Sequence, residues 1–450
     1  MSKPKITLIF ALIILILFGI GAFFYFHSEQ NTLALQQNRI PSGQQNLQNG
    51  GVNSSFPTGS ESAPITGTIS NPLNTSTSTR VSGSTNSMQP SLPLAELRQI
   101  SQTPTAGGIA FTQGTSTIIR FMERSTGHIS QTTTTSLLTE RLTDTRIPAV
   151  YEGDWLKNGQ GLYVRYQDAS SQNIDTYYAT IKALSAQTAL QTALSVSATS
   201  SNSAVVEYAP DELSGQLMPS NITSLALSPS GNSVFYLQTT ASGSQGTTAT
   251  ITGTQKTPIF SSVLNEWIAQ WASANVIALT TKASINENGY LYFLNPSSGT
   301  FTKILGDIAG LTTLISPDGS SVLLSSSQKN GEITTYLYTI STGNYTQLPT
   351  KTLPTKCVWS TKNISLIYCG VPEQIPSGNY PDDWYQGNVS FTDDFMSINL
   401  KTATTTLLAV PSALINQNID ATNLFLSPKE DFLFFLNKKD GTLWSLSLAK

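Results

Sequence analysis

The chain has 450 residues, of which 24 are Lys or Arg and 27 Asp or Glu, for a formal net charge of −3. Only 11% of residues are charged, so there is no basic field to draw in a polyanion, and nucleic acid is not expected as a partner. Two cysteines and two histidines are too few for a Cys- or His-rich metal module, which leaves carboxylate-based metal sites open.

The first element is an apolar run over 6–26, 21 residues without a charge. As a helix it extends about 32 Å, close to the roughly 30 Å of a bilayer's hydrocarbon core, so one transmembrane helix is predicted. Lys3 and Lys5 precede the run, and no Lys or Arg follows it until Arg39. This bias puts a tip, residues 1–5, in the cytoplasm and everything beyond Phe26 outside it, as in a single-pass protein of the cell membrane. A cleaved signal peptide is the rival reading. Its apolar core is shorter and ends on small residues, whereas this run leaves through Phe23, Phe24, Tyr25 and Phe26.

From 27 to 93 the chain is Ser, Thr, Asn, Gln, Gly and Pro with scattered charges. Such a composition buries too little apolar surface to offset its ordering entropy, so a disordered linker is expected, with a root-mean-square span on the order of 45 Å. It reads as a tether that sets reach and is open to glycosylation or, the preferred reading, as a spacer of no specific sequence.

Residues 94–450 carry a β-repeat. LALSPSGNSVFYL at 225–237, TLISPDGSSVLLS at 313–325 and LFLSPKEDFLFFL at 424–436 each send an apolar run into a Ser-Pro turn and an apolar run out of it. Proline presets φ for the turn and Ser, Asp and Gly complete it, so each unit reads as a hairpin. Three further hairpins carry a tryptophan instead, Trp155, Trp271 and Trp359, whose equivalent positions indicate packing between repeats. A weaker seventh copy turns at Gly114.

The turn residues Gly231, Asn275, Gly319 and Asn363 are spaced 44 residues apart, and Gly114 and Gly159 are 45 apart. Longer intervals before Gly231 and Glu430 imply insertions, assigned to 184–204 and 370–392. Four strand-like runs in each period of about 44 residues predict a seven-bladed β-propeller; a two-sheet sandwich, the alternative, yields no such period. The last repeat contains only three strands. Its fourth is expected from 95–101, paired with 442–448, which closes the ring and leaves no full-length edge open.

The SPDG turn at 316–319, the SPSG turn at 228–231 and the strands around them resemble the WD40-like repeats of the TolB-type propeller superfamily. The stretches IIRFMERSTGHI at 118–129, FLNPSSGTFTKILG at 293–306, IPSGNYPDDWYQG at 375–387 and LNKKDGTLWSL at 436–446 look like those of uncharacterised membrane-anchored propeller proteins of candidate-phylum bacteria. The resemblance covers about 92–450 and implies a fold; it implies no activity.

Cys357 and Cys369 lie equidistant from Asn363, the turn of their hairpin, so they face each other across neighbouring strands at a separation suited to a disulfide, which an extracytoplasmic domain permits. The blade-six insertion, 370–394, gathers Asp382, Asp383, Asp393 and Asp394 with Tyr380, Trp384 and Tyr385. Carboxylates beside flat apolar rings suit a sugar, a peptide or Ca²⁺, the one cofactor the sequence suggests. The preferred alternative is a long loop pinned by its aromatics, with the aspartates solvated or shaping turns. His128 is expected on the surface of a turn or strand.

No G-x-S-x-G, H-E-x-x-H or G-x-x-x-x-G-K-[ST] pattern occurs, so no catalytic signature is present. The expected role is a membrane-anchored binding or scaffold propeller for a protein or glycan partner. The second reading is a carbohydrate-active hydrolase or lyase working through carboxylates.

Overall fold

A computed structural model of the protein describes residues 95–182 and 212–448. The predicted anchor at 6–26, the linker at 27–93 and the insertion at 184–204 lie outside the described residues. Seven four-stranded antiparallel sheets follow one another along the chain, as the 44-residue period requires. Blade 4 illustrates the unit: Trp267–Ser273, Val276–Thr281, Asn288–Leu294 and Phe301–Ala309, each paired with the next.

The second strand of each blade is mostly apolar, interrupted by Arg120 in blade 1 and Arg165 in blade 2, because neighbouring blades cover both of its faces. Val234, Phe235, Tyr236 and Leu237 are all buried in blade 3, as are Leu433, Phe434, Phe435 and Leu436 in blade 7. The outermost strands are more exposed, and all four residues of Asn344–Gln347 in blade 5 are exposed. Seven apolar clusters result, each filling the space between two consecutive blades. One of them joins Phe434, Leu436 and Leu443 of blade 7 to Ala110, Ile119 and Phe121 of blade 1, which makes the array a closed ring. Trp155 and Trp359 are buried in such clusters and Trp271 packs against one, as their repeated spacing implied.

Ring closure also has the predicted covalent order. Leu97–Gln99 forms the outer strand of blade 7, with Leu97 opposite Leu446, Arg98 opposite Ser445 and Gln99 opposite Trp444. The Leu443 amide then donates to Ser101 Oγ at 2.8 Å, and the Thr105 amide to the Gly441 carbonyl at 2.8 Å.

First strands of successive blades touch, which places them around the axis. The Ala269 amide of blade 4 donates to Ser224 Oγ of blade 3 at 3.0 Å, and Gln270 Nε2 donates to the Thr313 carbonyl of blade 5 at 2.8 Å. Because strands alternate in direction, the loops joining second to third strands share one face of the ring with the connections that enter each first strand. The blade-six insertion belongs to that face.

His128 departs from expectation. It is only 8% exposed, because the turn around Gly127 folds against Ile147 and takes the neighbouring histidine inside with it.

Candidate functional site

The disulfide is formed. Cys357 and Cys369 are paired in register on the first two strands of blade 6, Cys357–Trp359 and Leu366–Pro372, with Cα atoms 4.1 Å apart. Both are buried in the cluster between blades 5 and 6.

The insertion leaves blade 6 after Pro372 and returns at Asp393. Asp393 and Asp394, grouped by sequence with the loop, are instead the first residues of the strand Asp393–Asn399, because the ladder continues to the pairs Pro372–Asp393 and Val371–Asp394. Within the insertion, Asp382–Gln386 forms a short helix, α1, ended by Gly387 at φ 80°. A small core of Tyr380, Trp384 and Phe391 packs it onto Ile333 of blade 5 and onto Leu353. Tyr380 and Phe391 stack at 5.5 Å, Trp384 and Phe391 at 6.1 Å.

Beneath that core lies a buried ionic cluster. Lys356, at the end of the turn Pro354–Lys356, has no exposed side-chain surface. Its Nζ contacts Asp420 Oδ1 at 2.5 Å and Asp393 Oδ2 at 2.7 Å and donates to the Ala421 carbonyl at 2.8 Å. Both carboxylates are likewise fully buried. Asp420 also accepts from Trp384 Nε1 at 3.0 Å, from Ser390 Oγ at 3.0 Å and from the Phe391 amide at 3.0 Å. The Lys356 ammonium sits 5.0 Å above the Trp384 ring. The ionic cluster thereby ties blade 7, blade 6 and the insertion together. Burial pushes the Asp393 carboxyl up to about 6, against the pull of Lys356. For Asp420 burial acts in the same direction, but Lys356 and the hydrogen bonds from Phe391 and Trp384 outweigh it and hold the carboxyl below its ordinary value.

The remaining predicted residues have distinct positions. Asp382 Oδ2 accepts the Ile285 amide of blade 4 at 2.8 Å, a link across 97 residues that anchors α1 over the neighbouring blades. Asp383 shapes its own loop, accepting from the Asn379 amide at 2.7 Å and from Asn388 Nδ2 at 3.2 Å, and these bonds lower its pKa. Trp384 is only 2% exposed. For Asp394, burial together with the charge of the Glu373 carboxylate raises the pKa. Among the described residues no three His, Cys, Asp or Glu converge where a metal ion could sit.

Tyr385 alone among them borders an open cavity. A groove of about 780 Å³ runs over the first strands of blades 2, 3 and 4, and Tyr385 is part of its lining. Tyr151 of blade 2 and Ile268 of blade 4 are exposed along it, and Trp267 forms part of its lining. Arg165 lies beside the groove with its guanidinium 5.1 Å from the Tyr151 ring, bonded to Glu152 at 2.7 Å and to the Ile222 carbonyl at 3.2 Å. Asp154, further along the Glu152 strand, is pushed up to about 8, first by burial and then by Glu152. Sequence reasoning did not find this groove, nor Lys356 and Asp420. A lone lysine inside the apolar stretch LPTKCVW was the one available signal for the cluster.

No protein-family model matches the chain, and no curated protein matches it. Solved structures similar to it include TolB from Acinetobacter baumannii, at 12% identity and a TM-score of 0.40, with 66% of this chain and 62% of that one covered. An oligogalacturonate lyase from Vibrio parahaemolyticus is 11% identical with a TM-score of 0.48, covering 77% of this chain and 90% of that one. The extracellular domain of a hybrid two-component system protein from B. thetaiotaomicron is 13% identical with a TM-score of 0.45, covering 78% of this chain and 40% of that one. The similarity to TolB and other propellers concerns the fold alone.

Proposed function

We propose that this chain is a membrane-anchored binding module whose propeller stands outside the cytoplasm and receives a protein or glycan partner in the groove walled by Tyr385. In this reading residues 6–26 cross the cell membrane once, residues 27–93 supply reach, and the ring supplies a rigid surface. The observation that carries it is the way the insertion is fixed. A buried lysine, two aspartates and three aromatic rings hold a five-residue helix so that one tyrosine borders a concave, aromatic-lined groove. Preorganised loops on a rigid scaffold are what recognition requires. The Cys357–Cys369 bond supports an oxidising compartment. The second reading, carboxylate catalysis, draws no support from Asp393, which with 0% exposure cannot meet a substrate.

The test uses the full chain in its native membrane with a photo-crosslinking residue at Tyr385 or, as control, at Tyr345 on the outer edge of blade 5. Crosslinked partner at the first position and none at the second is the expected result. Equal capture at both positions would sink the groove as the binding face. Protease added to intact cells should cut within 27–93; full protection of the linker would place the propeller on the wrong side.

A further inference from the structure

We infer that the groove over blades 2 to 4 is a subsite for an uncharged oligosaccharide, an assignment that rests on the binding role proposed above. Size comes first. At about 780 Å³ the groove is concave and within the roughly 300 to 1,000 Å³ of small-ligand sites, whereas a folded protein partner needs a broad, flatter contact.

Charge comes second. The two cations along the groove are each paired with a carboxylate, Arg165 with Glu152 at 2.7 Å and Lys282 with Glu266 at 2.9 Å. An acidic sugar or a charged peptide finds no free counter-charge here, and a neutral ligand needs none.

Hydrogen-bonding capacity comes third. Asn173 of blade 2, Asn221 at the entry to blade 3 and Asn265 at the entry to blade 4 present exposed carboxamides to the groove, and none bonds a protein group through its side chain among the described residues. A carboxamide offers a donor and an acceptor together, which matches neighbouring sugar hydroxyls. Stacking surfaces complete the set. Tyr151 and Tyr385, 46% and 39% exposed, both line the groove and offer flat apolar surface for the C–H faces of pyranose rings.

The experiment measures binding of full-length protein in detergent to a panel of neutral tetrasaccharides (β-glucan, α-glucan, mannan and chitin types) and to tetragalacturonate, by calorimetry and Trp fluorescence. At least one neutral tetrasaccharide should bind, with affinity unchanged between about 50 and 500 mM salt, since no charge is involved. Tyr385→Ala and Asn265→Ala should each weaken it by about tenfold, with the melting temperature preserved in Asn265→Ala and only slightly lowered in Tyr385→Ala. Preference for tetragalacturonate, strong salt dependence, or no neutral sugar bound would overturn the assignment. The two proposals separate cleanly: if no sugar binds but Tyr385 still crosslinks a protein in cells, the binding role stands and the oligosaccharide fails. Loss of neither signal in the groove variants would remove both.

Discussion

Lys356 Nζ and Asp420 Oδ1 lie 2.5 Å apart with neither side chain exposed to solvent, and the second carboxylate, Asp393, meets the same ammonium at 2.7 Å. One cation facing two anions in a dry interior makes the partners unequal. Lys356→Met strands two carboxylates and Asp420→Ala removes the one that also holds Trp384, Ser390 and Phe391, so each should cost about 3–5 kcal/mol. Asp393→Asn leaves one carboxylate per ammonium and retains an oxygen for the Ala421 amide, so its cost should be far smaller. Thermal melts of the three variants at neutral pH check the order, and an Asp393→Asn as damaging as Lys356→Met would refute it.

The same asymmetry sets a pH dependence. Burial raises the Asp393 carboxyl to about 6, above its ordinary 3.8, so the folded state holds this proton more tightly than the unfolded chain. The resulting penalty is fully present above about pH 6 and fades as pH falls toward 3.8. Asp420 is lowered, so its contribution runs the other way and is lost as pH falls through its folded value. Asp393→Asn should therefore gain on the wild type as pH rises from 5 to 7.5, about the interval over which Asp393 ionises. Parallel denaturant curves at the two pH values measure it; a constant difference would show that Asp393 does not titrate in this window.

Glu430 occupies the turn position that glycine holds in the SPSG and SPDG hairpins, at φ 54° beside 75° for Gly231 and 74° for Gly319. Its carboxylate repays the strained backbone by accepting from Ser360 Oγ at 2.6 Å, from the Thr361 amide and hydroxyl at 2.7 Å each, and from the Lys362 amide at 3.1 Å. These bonds clasp the hairpin of blade 6 from blade 7. Glu430→Ala keeps the strain and loses the clasp, and should cost about 2 kcal/mol, whereas Glu430→Gly relieves about 1 kcal/mol of that loss. Urea titration of both variants decides the matter, and a glycine variant less stable than the alanine one would contradict it.

Removing the cross-strand link by Cys357→Ser with Cys369→Ser should lower stability by roughly 3 kcal/mol through the freed 12-residue loop. Intact-mass measurement after alkylation without reductant should find no reactive thiol in the wild type. Two alkylated cysteines would show the bond absent.

Trp384 and Tyr385 are neighbours with opposite expected phenotypes. Trp384→Ala empties a site that is 2% exposed and breaks the indole bond to Asp420, so about 3–5 kcal/mol should be lost. Tyr385→Ala removes a half-exposed ring and a bond to Thr355, and should shift stability by about 1 kcal/mol while impairing capture of the partner. A melting-temperature and crosslinking comparison of the two separates packing from recognition.

How far the sequence could be read depends on the range of the interaction concerned. The hairpin at Ser316 announces itself because Gly319, Asp318 and Ser321 bond within five residues of it, and the Cys357–Cys369 pairing follows from a single turn. The aspartates of blade 6 were visible as a group, but their separate fates were not. Asp382 bonds to blade 4, Asp383 to its own loop, and Asp393 to a lysine 37 positions earlier, and composition distinguishes none of these.

By itself the sequence determined seven hairpins, four of whose six intervals are 44 or 45 residues, and the missing strand that Leu97–Gln99 supplies, because turn chemistry and alternation between apolar runs are local properties that repeat with each blade. Only the tertiary structure decided that Tyr385 of blade 6 shares a groove with Tyr151 of blade 2, and that Lys356 is sealed between Asp393 and Asp420. The first pairing is set by the curvature of a closed ring, which brings together residues more than two hundred positions apart, and the second by the contact of blades 6 and 7, and neither leaves a trace in the spacing of its members.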